Sequence, residues 1–354
     1  MKITKVEYWV KDIQLREHYT IAYNTYTSAE NIFLRVETNK GITGFGCAAP
    51  DYEVTSENSE TVLNACKDVI EPGILGSDPL RRVAIFCRLD KHLHYQPAAK
   101  AMLDMALYDI LGKCAGLPLY KILGGYRTHI KTSVTIGILP LEETLAKAKK
   151  FITEGFSVIK LKGGIDVDED IEKVIRLREL VGHKIALRFD ANQGYNSEKT
   201  LKFISSTMSA KLQLIEQPIH RDYPLVLGKI TKSSNIPIMA DESLISLKDT
   251  FKLVRNKLVD LVNIKLMKVG GIYEAIRISS IASVGNIETM VGCMDNSALA
   301  ISAGLHFALS RPNVQYADLD GHLDMIDDPS AGAVILNNGV LYPTNRPGLG
   351  FDLK

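Results

Sequence analysis

From about residue 130 onward the chain alternates between short apolar, β-rich runs and amphipathic stretches with helical spacing. The runs are Thr132–Ile136, Val158–Lys162, Ile185–Asp190, Leu212–Glu216, Ile236–Ala240, Leu261–Leu266, Glu288–Met294 and Val314–Leu319. Segments such as Glu142–Thr153 and Asp168–Val181 read as helices between them. One βα unit per roughly 25 residues, eight times over, predicts a closed parallel barrel. A doubly wound open sheet is the alternative. It calls for G-x-G-x-x-G after its first strand, and the sequence has none. The pairs Gly163-Gly164 and Gly270-Gly271 read as tight βα turns.

The first ~125 residues have a different rhythm. Ile3–Lys11 and Asn31–Thr38 alternate like antiparallel strands, and Asn39–Thr43 makes the turn to Gly44–Ala48. Helical stretches follow at Ser59–Ile70, Pro79–Leu93 and Ala98–Cys114. Strands followed by helices predict an α+β unit over residues 1–125, before a barrel over 126–323. Residues 324–354, rich in Pro and Gly, hold no ninth βα unit and are expected to return to the N-terminal unit.

Composition narrows the function. The 354 residues are 46% hydrophobic, enough for a sizeable core and against disorder as the main state. Forty-two basic against 41 acidic residues leave a formal charge of +1, so no bulk field draws polyanions and no nucleic-acid partner is expected. No apolar stretch approaches ~20 residues, so no membrane span is expected. The most apolar one, Ala298–Leu309, is short and contains His306. The N-terminus shows no apolar leader core before Lys11 and Asp12. Five scattered cysteines without C-x-x-C offer neither a disulfide framework nor a zinc site. A reduced cytoplasm is the expected setting.

In a (β/α)8 barrel the chemistry lies at the C-terminal ends of the strands. Here those ends carry Lys160 and Lys162, Asp190 and then Asn192, Glu216, Asp241, Lys265 and then Lys268, Asp295, and finally Asp318 and Asp320. From Lys162 through Asp190, Glu216 and Asp241 to Lys268 the charges recur every 25 to 28 residues, at the equivalent place in successive units. Charged groups ending apolar strands are costly unless they are paired or bind a metal. Asp190, Glu216 and Asp241 come from adjacent strands and repel one another unless a cation neutralises them. All-oxygen donors favour Mg²⁺, with Mn²⁺ next. The competing arrangement is an acid cluster paired internally by Arg188 and Lys265.

Lys160 and Lys162 are two apart on a strand and both point inward. Their mutual repulsion and desolvation are expected to lower a lysine pKa towards neutrality, as a base requires. Lys162 and Lys268 are expected to face each other across the ring, with a substrate carbon between them.

These residues resemble the enolase superfamily, specifically its muconate-lactonizing subgroup. The matching motifs are Lys160-x-Lys162, Asp190-x-Asn192, Glu216-Gln-Pro218, Asp241-Glu-Ser243 and Lys265-Leu-Met-Lys268-x-Gly-Gly271, and the helix Ala99–Lys113 is similar to the subgroup's domain-junction signature. The resemblance covers nearly the whole chain. It implies a (β/α)7β barrel, an α+β capping domain completed by the C-terminal segment, one Mg²⁺ per subunit held by Asp190, Glu216 and Asp241, and Lys162 and Lys268 as acid–base residues. Asn192 and Lys265 become supporting residues around that centre.

Asp318-x-Asp320 resembles the D-x-D motif of the dipeptide epimerases, whose carboxylates hold a dipeptide's α-ammonium. Lys160 and Thr135 join these two aspartates as expected substrate contacts. Two departures bear on specificity. Asn24 stands where glutamate-specific relatives carry a capping-loop arginine, and Asn296, preceded by Asp295, stands where they usually carry an acid. The capping loops Arg16–Ser28 and Ala48–Ser56 offer Tyr19, Ile21, Tyr23, Tyr26, Tyr52 and Val54. Without a cation at Asn24, hydrophobic or aromatic dipeptides are the expected substrates. The competing reading uses Asp51, Glu53 and Asp295 as an acidic pocket for Lys- or Arg-containing dipeptides.

The expected activity is inversion of the C-terminal residue's α-carbon in L,L-dipeptides by two-lysine, Mg²⁺-assisted proton transfer. A cycloisomerase, an o-succinylbenzoate synthase or an N-acylamino-acid racemase on the same scaffold is one alternative, and a silent metal-dependent binding protein is another. The expected partner is a small-molecule dipeptide, and assembly into a homo-oligomer is compatible with the reading.

Overall fold

The computed structural model describes residues 1–22 and 24–353, with Tyr19 described by its backbone alone. Three antiparallel strands open the chain: β1 (Ile3–Thr20), β2 (Thr25–Thr38) and β3 (Thr43–Ala48). β1 and β2 run far beyond the strands expected from sequence, so most of the Arg16–Ser28 segment, expected to be loop, is the end of a long β-ribbon. The reason is packing. The ribbon buries Ile13, Leu15 and Ala29, with Tyr26 beside them, against Met325, and buries Ile21 near its tip, while most of its other positions are exposed. Such a ribbon carries a muted alternation that reads as polar loop.

The helices α1 (Tyr52–Thr55), α2 (Ser59–Ala65), α3 (Glu71–Ile74), α4 (Arg82–Leu89), α5 (Pro97–Ala115) and α6 (Leu119–Ile122) follow, with a π-helical turn joining α2 to α3. α5 is buried on almost every face because it lies between the N-terminal sheet and the barrel. Gly46 on β3 permits that contact, since a Cβ there would overlap the Met102 carbonyl oxygen.

The barrel alternates as expected. After β4 (Ile130–Lys131) come β5 (Val134–Ile136), α7 (Leu141–Thr153), β6 (Val158–Lys162), α8 (Val167–Val181), β7 (Ala186–Asp190), α9 (Ser197–Thr207), β8 (Leu214–Glu216), α10 (Pro224–Ser233), β9 (Ile238–Ala240), α11 (Leu247–Arg255), β10 (Leu261–Lys265), α12 (Leu266–Val269), α13 (Ile272–Val284), β11 (Glu288–Gly292), α14 (Ala298–Ser310) and β12 (Val314–Asp318). Strands β5 to β12 lie side by side in sequence order, and a bridge between Thr132 and Ala317 joins the two edges. Among the described residues no helix follows β12, which makes this a (β/α)7β barrel.

The C-terminal segment explains why α14 is apolar all round. β13 (Val334–Asn337) pairs with β14 (Val340–Pro343), which pairs in turn with β4, and both pack on α14. Asp328 Oδ2 and Ser330 Oγ accept from the amides of Ala298 and Leu299 at 2.6 and 2.9 Å, capping that helix. Leu349 N then donates to Asp109 Oδ1 on α5 at 2.8 Å. The segment thus touches both α5 and the barrel. Among the described residues no helix is long and apolar enough to cross a membrane, and all five cysteines are free.

Candidate active site

Strand alternation decides what the barrel holds. On the inward positions, Leu214, Met239, Leu261 and Met290, with Tyr316 packed on them, form an apolar floor. Two residues further along each strand the inward position is Glu216, Asp241, Asn263, Gly292 or Asp318, and Lys265 follows two residues beyond Asn263. β6 and β7 add Lys160, Lys162 and Asp190 at the same end. The register aligns Lys162 with Asp190 and Asp190 with Glu216.

Asp190, Glu216 and Asp241 are buried, and one oxygen from each lies within 4.8 Å of the others. Lys160 Nζ stands 3.0 Å from Asp190, 2.7 Å from Glu216 and 2.9 Å from Asp318. Burial acts to lower the Lys160 pKa, but those carboxylates outweigh it and hold it well above the ordinary lysine range. Lys265, 2.8 Å from Asp241 Oδ2, is held up in the same way. The expected lowering is therefore absent at Lys160. It appears at Lys268, where burial, helped by Lys265, prevails over Asp241.

Lys162 and Lys268 end on opposite sides of the carboxylate row. Lys162 Nζ donates to Asp190 Oδ2 at 2.7 Å and to Asn192 Oδ1 at 2.9 Å. Lys268 Nζ contacts the Asp241 carboxylate and donates to its carbonyl at 2.5 Å. Asn192 also donates to Glu242 Oε1 at 3.2 Å. The donor set fits a hard divalent cation. Its oxygens are buried and converging, and burial together with Asp190 pushes the Glu216 pKa up, a penalty that a cation among the three would relieve.

Across the mouth, Asp318 Oδ1 accepts from Ser133 Oγ at 2.6 Å, and Asp320 Oδ2 accepts from Thr135 N at 2.7 Å. Burial acts to raise the Asp318 pKa, but Lys160 overrides it and the group falls to about 2, whereas burial and Asp318 lift Asp320 to about 6. A cavity of about 110 Å³ joins these groups to a wall from the N-terminal unit, including Leu15, Ile21, Tyr26, Asp51 and Val54. Thr135, Val54 and Asp295 reach this cavity. Asn24 does not. It is exposed at the ribbon tip, where its side chain accepts from Thr25 N at 2.9 Å. Tyr52 and Glu53 are likewise exposed and off the central cavity. Tyr23 and the Tyr19 side chain lie outside the described residues.

Sequence reasoning assigned nothing to Lys147 and Asp324, which also line the cavity. Lys147 pairs with Glu17 of the ribbon at 2.8 Å. Nothing in its helical context, one lysine among several on α7, marks it out. Asp324 sits beside the ribbon through the bond from Arg16 N to its carbonyl, 2.7 Å, a contact between distant parts of the chain.

Residues 4–124 match the model of the mandelate racemase / muconate lactonizing enzyme N-terminal domain, and residues 143–354 match the enolase C-terminal domain-like model. The chain belongs to the enolase superfamily. Within this superfamily it is 39% identical over 351 residues to an L-Lys-D/L-Arg epimerase of Desulforapulum autotrophicum, covering 99% of both chains. A dipeptide epimerase of Enterococcus faecalis, solved with Mg and L-Leu-L-Tyr, superposes with a TM-score of 0.96 at 37% identity over 99% of each chain. One from Methylococcus capsulatus, solved with Mg and L-Arg-D-Lys, gives 0.95 at 38% identity, again over 99% of each chain. These relatives place this superfamily member among the isomerases.

Proposed function

We propose that the protein is a dipeptide epimerase that inverts the α-carbon of the dipeptide's C-terminal residue. The observation that carries this reading is the placement of Lys162 and Lys268 against the two ends of one buried carboxylate row, Asp190 at one end and Asp241 at the other. A substrate carbon above that row has an amine on each face. Asp190, Glu216 and Asp241 would hold one Mg²⁺ per subunit. When bound, the ion supplies positive charge that stabilises the negative charge spreading onto the substrate carboxylate as the α-proton leaves. One lysine, neutral, takes the α-proton. The other, protonated, returns a proton to the opposite face. Asp318 and Asp320 receive the α-ammonium, and their buried contacts to Ser133, Lys160 and Thr135 fix where it sits. This ammonium site favours a dipeptide over the anionic substrates of cycloisomerases and succinylbenzoate synthases.

For the side chains, the outer cavity favours cations. Its wall carries Asp51, Asp295 and Asp324 against Lys147, which is already paired with Glu17. Asp51 accepts from Tyr26 Oη and from the amides of Glu53 and Val54, partners that satisfy its oxygens without neutralising its charge. A cationic side chain gains from such a wall, whereas an apolar one desolvates it without return. Leu15, Ile21, Val54 and Met294 line the same cavity and keep apolar dipeptides as the second reading. A dipeptide library incubated in D2O with Mg²⁺ and read by mass spectrometry decides both points. Epimerised dipeptides gain one mass unit, and Lys- or Arg-containing members are expected to lead. No mass gain in any member overturns the epimerase reading, and a lead for apolar members overturns the cationic one.

A further inference from the structure

Lys268 does not stand on a barrel strand. It sits on α12, a four-residue turn wedged between β10 and α13. The N-terminal unit holds that turn at one point and the start of α13, just beyond it, at another. Ala49 N donates to Met267 Sδ at 3.5 Å. Asp104, on α5, accepts from Tyr273 N in the first turn of α13 at 3.0 Å. Between α12 and α13 the chain passes through Gly270 and Gly271, at φ +89° and +108°. A Cβ on Gly271 would lie 2.6 Å from Asp104 Oδ2, so the backbone is laid directly against the carboxylate.

Asp104 is out of place by packing logic alone. It is wholly buried in a helix that, Asp109 apart, buries mainly apolar side chains, and whereas both Asp109 oxygens are partnered, Asp104 Oδ1 has no hydrogen-bond partner. Burial raises its pKa to about 7 against the help of the Tyr273 amide. A buried carboxyl with an unpartnered oxygen is disfavoured, and an apolar residue would fill the position at less expense. What the carboxylate does provide is a fixed acceptor at the positive end of α13.

We propose that Asp104 is a positioning residue for Lys268: by receiving the start of α13 it sets the height and rotation of the α12 turn, and so the reach of Lys268 Nζ towards the substrate carbon. The capping unit thereby contributes to the acid–base machinery without touching substrate. This rests on the reading of Lys268 as one of two bases serving opposite faces.

The readout is α-proton exchange in D2O with Mg²⁺, measured separately from the L,L and L,D isomers. Lys268→Ala identifies which isomer Lys268 serves. Asp104→Ala is expected to slow exchange from that isomer about tenfold or more, since displacement of a reacting group by an ångström can cost ~100-fold. Exchange from the other isomer should change by less than about twofold, because Lys162 is carried by a different strand. Asp104→Asn, which keeps an acceptor oxygen, should restore most of the loss. If Asp104→Ala does not fold, Tyr273→Pro removes the donated N–H in a first turn that tolerates proline, and compared with Tyr273→Ala, which loses the ring but keeps the N–H, it is expected to give the same one-sided loss. An equal loss from both isomers, or no loss from either, overturns the positioning role while leaving the epimerase reading intact. No exchange by the unaltered enzyme overturns both.

Discussion

Lys160 Nζ lies 2.9 Å from Asp318 Oδ2, an ion pair that ties the second strand of the barrel to the eighth. The same ammonium also faces Asp190 and Glu216, so it is the main internal counter-charge to the carboxylate row. Replacing it with methionine takes the ion-pair partner from the buried Glu216 and Asp318 and leaves Asp190 with Lys162. Lys160→Met is expected to lower the unfolding free energy by ~3–5 kcal/mol in the absence of divalent ions. Mg²⁺ should restore more stability to the variant than to the unaltered protein, because the ion would then be the chief neutraliser of the row. Urea denaturation with and without Mg²⁺ measures this, and an unchanged midpoint would contradict it.

Metal dependence follows from the same acids. Exhaustive chelation should abolish α-proton exchange, and added Mg²⁺ should bring it back. Asp241→Asn should weaken Mg²⁺ binding in calorimetry at least tenfold, by about 1.4 kcal/mol or more. Full activity after chelation would remove the metal from the account.

The barrel was largely legible in the sequence because β-rich runs alternate with amphipathic stretches eight times, and its site because charges end those runs at a spacing too regular for coincidence. Asp190, Glu216 and Asp241 stand together as expected from that register. The ribbon between residues 12 and 30 was not legible, since it buries only a few apolar side chains, Ile13, Leu15, Ile21 and Ala29, and most of its other positions are exposed. The direction of the Lys160 pKa was also hidden. Spacing reveals Lys162 as a neighbour on the same strand, but not that Asp190, Glu216 and Asp318 converge on the Lys160 ammonium. Asp104, Lys147 and Asp324 act through partners distant in the chain or through a shared cavity wall, and no local pattern announces such contacts.

Acid stability has a named contributor in His306. It is fully buried in α14, its Nδ1 accepts from Tyr120 N at 3.0 Å, and burial pulls its pKa down to about 4. The folded value lies below the unfolded one, so this stabilisation is complete above pH ~6.5 and is lost as pH falls through ~4. Between pH 7 and 4 the unaltered protein should lose ~3 kcal/mol more than His306→Gln, in paired chemical denaturations. Glu57, raised to about 7 by burial, tilts both proteins the opposite way and cancels in the difference. Parallel pH profiles would contradict the assignment.

Specificity should follow the acidic wall. Asp51→Asn and Asp324→Asn are each expected to lower kcat/KM for Lys- or Arg-containing dipeptides about tenfold, near 1.4 kcal/mol, relative to apolar ones. The comparison of the two substrate classes within each variant separates a lost charge from a disturbed fold. An equal fall for both classes would move the cation-binding site elsewhere.

The central claim is that Lys162 and Lys268 serve opposite faces of one carbon. It is tested most directly by α-proton exchange in D2O from each isomer with Lys162→Ala and Lys268→Ala. Each variant should fail to epimerise, yet still wash deuterium into the one isomer whose α-hydrogen points at the surviving lysine, and the two variants should show opposite isomer preferences. Normal epimerisation by either variant, or the same isomer preference in both, would contradict the account.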